Sequence, residues 1–167
     1  MKRAERYIRW VVLLARLGVG LSFLVLIAAV LIQVVGRLAG SSPVWTEELT
    51  RYALLYLVAF GAGLSFRTGD LVNVDVICES LPGRLPWLLR LVAAVVTAGL
   101  ALYLLPAAWK YVSIGRMQTS PALEIKMTYA HFTVFLLLAL LAVFAVLRIL
   151  GMLSGSEDGT PERREET

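Results

Sequence analysis

Four stretches of the chain carry apolar residues at nearly every position, and charged residues gather at their ends. Leu17–Gly36 holds twenty residues without a charge, broken only by Gln33, and Leu91–Trp109 holds nineteen. Met127–Leu147 holds twenty-one, with His131 near its start, and Tyr52–Phe66 holds fifteen. Roughly 20 apolar residues in a helix cross the roughly 30 Å hydrocarbon layer of a bilayer. Three of the runs meet that length unaided. The Tyr52–Phe66 run does so only if its helix carries Thr46–Arg51 into the membrane region. The pattern predicts an all-α membrane protein with four transmembrane helices and short interfacial helices. The spans cover about 10–36, 46–67, 86–110 and 127–150 within a domain of residues 1–153. Residues 154–167 (SGSEDGTPERREET) have no apolar side chain to bury and read as a disordered cytoplasmic tail.

The connections carry their own signals. Arg37–Pro43 (RLAGSSP) is a polar turn, and Leu81-Pro82-Gly83 ends a short amphipathic segment. In that segment Val74, Ile77 and Leu81 share one side and Asp75 and Glu79 another, as in an interfacial helix. Lys110–Lys126 mixes charge, Gly and Pro, with a structured turn expected at Ser120-Pro121-Ala122-Leu123. Pro106 is expected to kink or end the third helix, with Trp87 and Trp109 as interface anchors. Inside the second helix, Tyr52, Tyr56 and Phe60 recur at helical spacing. Ala59 with Gly63 and Gly61 with Ser65 are small pairs four apart that allow close helix approach.

Composition narrows the class. Hydrophobic residues make up 59% of the chain and charged ones 17%, with a mean hydropathy of +0.77, which excludes an ordinary soluble domain. The net charge of +4 suggests no nucleic-acid partner, because the basic residues sit at helix ends rather than on one face with aromatics between them. They act instead on orientation. Lys2, Arg3, Arg6 and Arg9 precede the first run, and with Arg16 four of the five fall in a narrow sector of a helix, an amphipathic lead-in at the cytoplasmic surface. A cleaved signal peptide is the competing reading, disfavoured by the length of the run. Four spans then put both termini in the cytoplasm by the positive-inside bias, although Arg37, Lys110, Arg116 and Lys126 lie on the opposite side. Cys78 is the only cysteine, so no intrachain disulfide or cysteine cage forms.

Candidate chemistry concentrates in residues 45–75. Thr46, Glu47 and Glu48 form a favourable helix start, and Arg51 follows at spacings that let one guanidinium meet both carboxylates. Arg67, Asp70 and Asp75 mark the exit. Charge at a membrane boundary commonly faces protein, so the cluster reads as an assembly site, with a self-contained interfacial helix cap as the plainer alternative. Catalytic readings fail on position. Ser65 and His131 fall at opposite ends of their helices, too far apart for a dyad. A single histidine excludes bis-histidine haem ligation, and no phosphate loop or metal-spaced cluster is present. The span centres are apolar, which argues against a translocation path inside this chain alone. The chain reads as a subunit, not an enzyme, and no cofactor is expected.

Motifs in order along the chain sharpen this. They are Trp45-x-Glu47-Glu48-Leu49-x-Arg51, Phe60-Gly61-Ala62, Arg67-x-Gly69-x-x-x-x-Val74-Asp75, Leu81-Pro82 and Ser120-Pro121-Ala122-Leu123-x-Ile125. Together they resemble the small membrane subunit of tripartite ATP-independent periplasmic (TRAP) transporters, the DctQ-like proteins. The chain departs from the common pattern at Asp70, Lys126 and His131. The resemblance implies location in a bacterial or archaeal inner membrane. It implies two partners, a large multi-helix membrane subunit that carries sodium and a small organic acid anion, and a periplasmic substrate-binding protein. It also implies that the small subunit is scaffold and carries neither substrate nor ion. Trp45, Glu47, Glu48 and Arg51 are then expected to hold the periplasmic end of the second helix. Arg67, Asp70 and Asp75 would fix the cytoplasmic turn, and Lys110, Arg116 and Lys126 are candidate contacts for the binding protein. A membrane-anchor or assembly subunit of another complex, including a redox one, is the alternative.

Overall fold

The computed structural model describes residues 2–41, 43–68 and 85–154. These form four long helices, α1 (Lys2–Leu38), α2 (Val44–Thr68), α3 (Leu85–Ile114) and α4 (Thr128–Leu153). Each contains a segment long and apolar enough to cross a membrane. A short 3-10 turn, Gly115–Met117, and an isolated antiparallel bridge between Thr119 and Lys126 lie between α3 and α4. The proposed interfacial helix at 71–81, with Asp70, Asp75 and Cys78, and the tail from residue 155 onward fall outside the described residues.

One helix differs from expectation, and in another one of the two expected outcomes is excluded. α1 is continuous from Lys2 to Leu38, so the basic lead-in and the span are one rod of about 55 Å rather than two segments with a break. Pro106 does not end α3, which runs on to Ile114. A proline removes one i to i−4 hydrogen bond, here the one to the Leu102 carbonyl, while the bonds on either side persist.

Small residues set the packing order. α2 lies between α1 and α4, and α3 packs mainly on α4. The inward seam of α1 is Val12, Ala15, Ser22 and Ala29, a near-heptad spacing suited to a shallow crossing. On that seam Gly18 lies under the Phe60 ring of α2, and an added Cβ would stand 2.7 Å from it. α3 turns Ala94, Ala98, Ala101 and Ala108 inward, and α4 supplies Ala130, Ala142 and Ala145. Without a hydrophobic drive between helices in lipid, such short side chains let backbones approach and gain dispersion contacts. Val12, Phe66, Ala94, Ala98, Phe144 and Ala145 form one cluster, so the beginnings of α1 and α3 meet the ends of α2 and α4 at one end of the bundle.

The two small-residue pairs of α2 separate on inspection. Ala59 and Gly63 are buried, and a Cβ on Gly63 would lie 2.7 Å from the Leu140 Cβ of α4. Gly61 has nothing within 4 Å. Gly63→Ala is therefore expected to destabilise by about 1–3 kcal/mol, since Cβ meeting Cβ forces a shift of the helix itself. Gly61→Ala should be neutral or stabilising by up to about 1 kcal/mol. Thermal unfolding of both variants in one detergent checks the contrast, and equal losses would remove Gly63 as the contact point.

Candidate functional site

Polar side chains converge where α2 begins, opposite the Phe66 cluster. Thr46 is fully buried in the first turn of α2. Its hydroxyl donates to the Pro43 carbonyl at 2.6 Å and does not cap a free amide, because the helix already starts at Val44. Two turns of α2 then face the α3–α4 connection. α2 and α4 run parallel, so the beginning of one lies beside the beginning of the other, and the connection is folded over both.

That connection is a tight hairpin built from its own backbone. Ser120 N–H donates to the Ile125 carbonyl at 2.8 Å, Met127 N–H to Gln118 at 3.0 Å, and Glu124 N–H to Ser120 at 3.1 Å. Closing so short a loop puts Glu124 in the left-handed region, at φ 54°, which non-glycine residues enter only when neighbours hold them there. The bend aims the amides of Ala122 and Leu123 in one direction, and Leu123 N–H also lies 3.2 Å from the Ser120 hydroxyl.

Glu48 fills that concavity. One carboxylate oxygen accepts from Ala122 N–H at 3.0 Å and Leu123 N–H at 3.1 Å. The other accepts from the Tyr52 hydroxyl at 2.7 Å. Adjacent backbone amides directed at one anion form a strong charge-assisted contact. Tyr52 oxygen is also 3.2 Å from the Met127 sulfur, and one turn on, Tyr56 hydroxyl donates to the Tyr129 carbonyl at 2.8 Å. Glu48, Tyr52 and Tyr56, spaced four apart, thus stitch α2 to the hairpin and to the start of α4.

The expected guanidinium pairing does not form. Glu47 accepts from the Gln33 side chain of α1 at 3.3 Å, Glu48 is taken by the hairpin, and Arg51 is exposed with no described carboxylate bridged to it. Helical spacing allowed Arg51 to reach either acid, but the hydroxyl and two amides at the hairpin offer Glu48 three fixed donors at once. Trp45 is partly exposed beside this site. Lys110, Arg116 and Lys126 are all exposed on the same end of the bundle, around Met117, which is 91% exposed. Arg67 is exposed at the other end, and Asp70 and Asp75 are outside the described residues.

A second anchor holds the base of the hairpin. His131 Nδ1 lies 3.0 Å from the Tyr111 carbonyl, which can only accept, so Nδ1 carries the proton. The imidazole stacks on the Tyr111 ring with centroids 3.9 Å apart. His131 is thereby a structural link between α3 and α4. Gly63, two residues before Ser65, packs on Leu140, nine residues past His131, so Ser65 lies roughly 15 Å away along the bundle, which leaves no dyad. Among the described residues no group of three His, Cys, Asp or Glu side chains is placed to hold a metal.

Sequence reasoning passed over several of these groups. Tyr52 and Tyr56 read as packing residues, although their spacing from Glu48 was the signal of a shared face. Arg148 closes the fourth apolar run and is 6% exposed; it donates to the Phe66 carbonyl at 3.1 Å, with its guanidinium 5.9 Å from that ring. Arg90 is also buried.

Comparison with known proteins supplies the remaining evidence. A family model described as tripartite ATP-independent periplasmic transporters, DctQ component, matches residues 26–155, from the middle of α1 to the end of α4. A search of curated proteins gave no match.

Proposed function

The chain belongs to the DctQ family, the small membrane component of tripartite ATP-independent periplasmic transporters, and from that premise we propose how it serves the transporter. It lies in the inner membrane with both termini cytoplasmic and widens the static scaffold of a large membrane subunit. That subunit carries a small organic acid anion coupled to sodium, delivered by a periplasmic binding protein. The observation that supports this reading best is the Glu48 hairpin clamp. The chain's strongest polar contacts are spent on fixing the shape of its own rim, while long apolar faces of α1 and α3 remain turned outward. A fixed rim and outward apolar faces suit a scaffold that grips a neighbour.

In this reading Trp45, Glu47, Glu48 and Arg51 belong to the periplasmic rim, with different tasks. Glu48 shapes the hairpin, Glu47 ties α1 to α2 through Gln33, and exposed Arg51 and Trp45 face the partner. Lys110, Arg116 and Lys126 form a basic ring that receives the binding protein. Arg67, Asp70 and Asp75 secure the cytoplasmic turn. The experiment is purification of the tagged chain from native membranes in mild detergent, with mass spectrometry of what accompanies it. A large multi-span subunit in about equal amount is expected. Vesicles holding that pair should take up an organic acid only with the binding protein and an inward sodium gradient. Redox subunits in the eluate, or uptake indifferent to sodium, would overturn the respective part of the reading.

A further inference from the structure

α1 carries an arginine at a depth where its neighbour α2 has no charge. Val12 packs in the cluster with Phe66, and Gly18 lies under the Phe60 ring, so Arg16 stands level with Ala62, inside the uncharged run of α2. That is five residues, about 7 Å, inward of the Arg67 level. Trp10, 58% exposed and six residues before Arg16, marks the same boundary, since tryptophan gathers at headgroup level. Arg16 is exposed, while Val12, Ala15 and Ser22 form the inward seam.

A charge exposed to lipid at that depth calls for a counter-charge. α1 offers none, since Glu5 is eleven residues away, about 16 Å along the rod, and the next acid in the sequence is Glu47. The facing part of α2, residues 60–65 (FGAGLS), holds no acid, and Glu47, Glu48 and Glu124 lie at the other end of the bundle. No described residue bonds Arg16. Helical side chains lean toward the helix N-terminus, so the guanidinium is carried back toward the boundary, where lipid phosphates lie. Arg9 is exposed seven residues earlier, nearly on the same stripe of the helix and about 10 Å along it, less than two arginine side chains laid end to end. Both guanidiniums can therefore reach one phosphate, whose oxygens suit their paired N–H donors.

We propose that Arg9 and Arg16 bind the phosphate of one anionic phospholipid in the leaflet where α1 begins, with its acyl chains lying along exposed Leu13, Leu17 and Leu24. Depth selects lipid as the occupant. Its phosphates surround the bundle at the level the guanidinium reaches, whereas a carboxylate on a neighbouring transmembrane helix would itself have to be stripped of water there. The sign of the surroundings selects the anionic class. Residues 1–46 hold Lys2, Arg3, Arg6, Arg9, Arg16 and Arg37 against Glu5 alone, so a zwitterionic headgroup brings its own cation into a basic field. The site is made by α1 alone and stands apart from the scaffold reading.

The test is native mass spectrometry of the tagged chain in mild detergent, titrated with dioleoyl phosphatidylglycerol or, in parallel, dioleoyl phosphatidylcholine. Phosphatidylglycerol is expected to be retained about fivefold more than phosphatidylcholine at equal concentration. Arg16→Gln should remove most of that preference and Arg9→Gln part of it. Arg37→Gln, at an exposed arginine at the far end of α1, should leave it unchanged. Equal retention of both lipids by the unaltered chain overturns the proposal, and this comparison needs no variant to fold. A preference that survives Arg16→Gln overturns it too, because another basic group would then hold the lipid. So does a preference abolished by inorganic phosphate at the lipid's own concentration, the mark of a free-anion site. If Arg16→Gln instead sheds a co-purifying protein and keeps its lipid, a partner's carboxylate holds the arginine, which equally overturns it.

Discussion

Glu48→Ala is expected to release the α3–α4 hairpin and to lower stability by about 2–4 kcal/mol. The substitution strands the Ala122 amide and leaves the Leu123 amide only the Ser120 hydroxyl and the Tyr52 hydroxyl only the Met127 sulfur; all three donate to that carboxylate. Hydrogen bonds to a charged acceptor contribute about 1.5–3 kcal/mol each when desolvated. Glu48 is only half-buried, so water reaches the freed donors and recovers more than half of that sum, which brings the net loss to about 2–4 kcal/mol. Glu48→Gln keeps one carbonyl oxygen for the amides and turns its NH2 toward the Tyr52 oxygen, so about half the loss is expected. Glu48→Asp is one methylene short and cannot span both sets of donors. Hydrogen exchange is the sharpest readout. The Ala122 and Leu123 amides should exchange much faster in Glu48→Ala, while the α4 amides beyond Thr133 stay protected. Unchanged exchange at 122 and 123 would mean that the hairpin holds itself and that Glu48 is only an interfacial helix start.

Charge bookkeeping along one helix could not find that clamp. Glu48 and Arg51 are three residues apart and visible to each other in any helical projection, whereas the donors that take Glu48 lie 74 and 75 residues downstream. Local spacing states which contacts are open to a side chain, and tertiary structure states which is filled. The four helices were legible, because uncharged runs of transmembrane length report directly on the solvent they cross. So was a structured turn at residues 120–123, where Ser-Pro falls in a connection that mixes charge, Gly and Pro. Its consequence, two amides aimed at an anion, was not. Arg148 was lost for a similar reason. It stands at the end of an apolar run, where an arginine ordinarily reaches water, and the arrival of Phe66 from α2 gives it a buried carbonyl to bond. The lateral order of the helices was also beyond reach, since alanine seams face inward on α3 and α4 without naming their partners.

Gly115 is a position where the smallest added group should do large damage. A Cβ there would stand 2.7 Å from the Thr128 nitrogen, 2.8 Å from the Thr128 Cα and 2.8 Å from His131 Nδ1. Two of those three atoms are backbone at the first residue of α4, so no rotamer change relieves the clash. Either the 3-10 turn or the start of α4 must move, and both are tied down by the hairpin. Overpacking of this kind costs about 1–3 kcal/mol, and rigid backbone neighbours put Gly115→Ala near the top, at about 3 kcal/mol. The displacement also opens the His131–Tyr111 hydrogen bond and stack, which join α3 to α4. His131→Ala alone should cost less, about 1–2 kcal/mol, because it removes that link without moving the backbone. The double variant separates the two effects. If the Thr128 backbone is the obstacle, Gly115→Ala with His131→Ala melts no higher than Gly115→Ala alone. Recovery in the double variant would show instead that the imidazole was the atom group that had to give way. The close approach of Gly115 to α4 would then be a consequence of the histidine's position, not of the turn. Detergent melting of the three variants, read together, decides which element fixes this rim of the bundle at its base, and hence whether the hairpin held by Glu48 stands on a rigid footing.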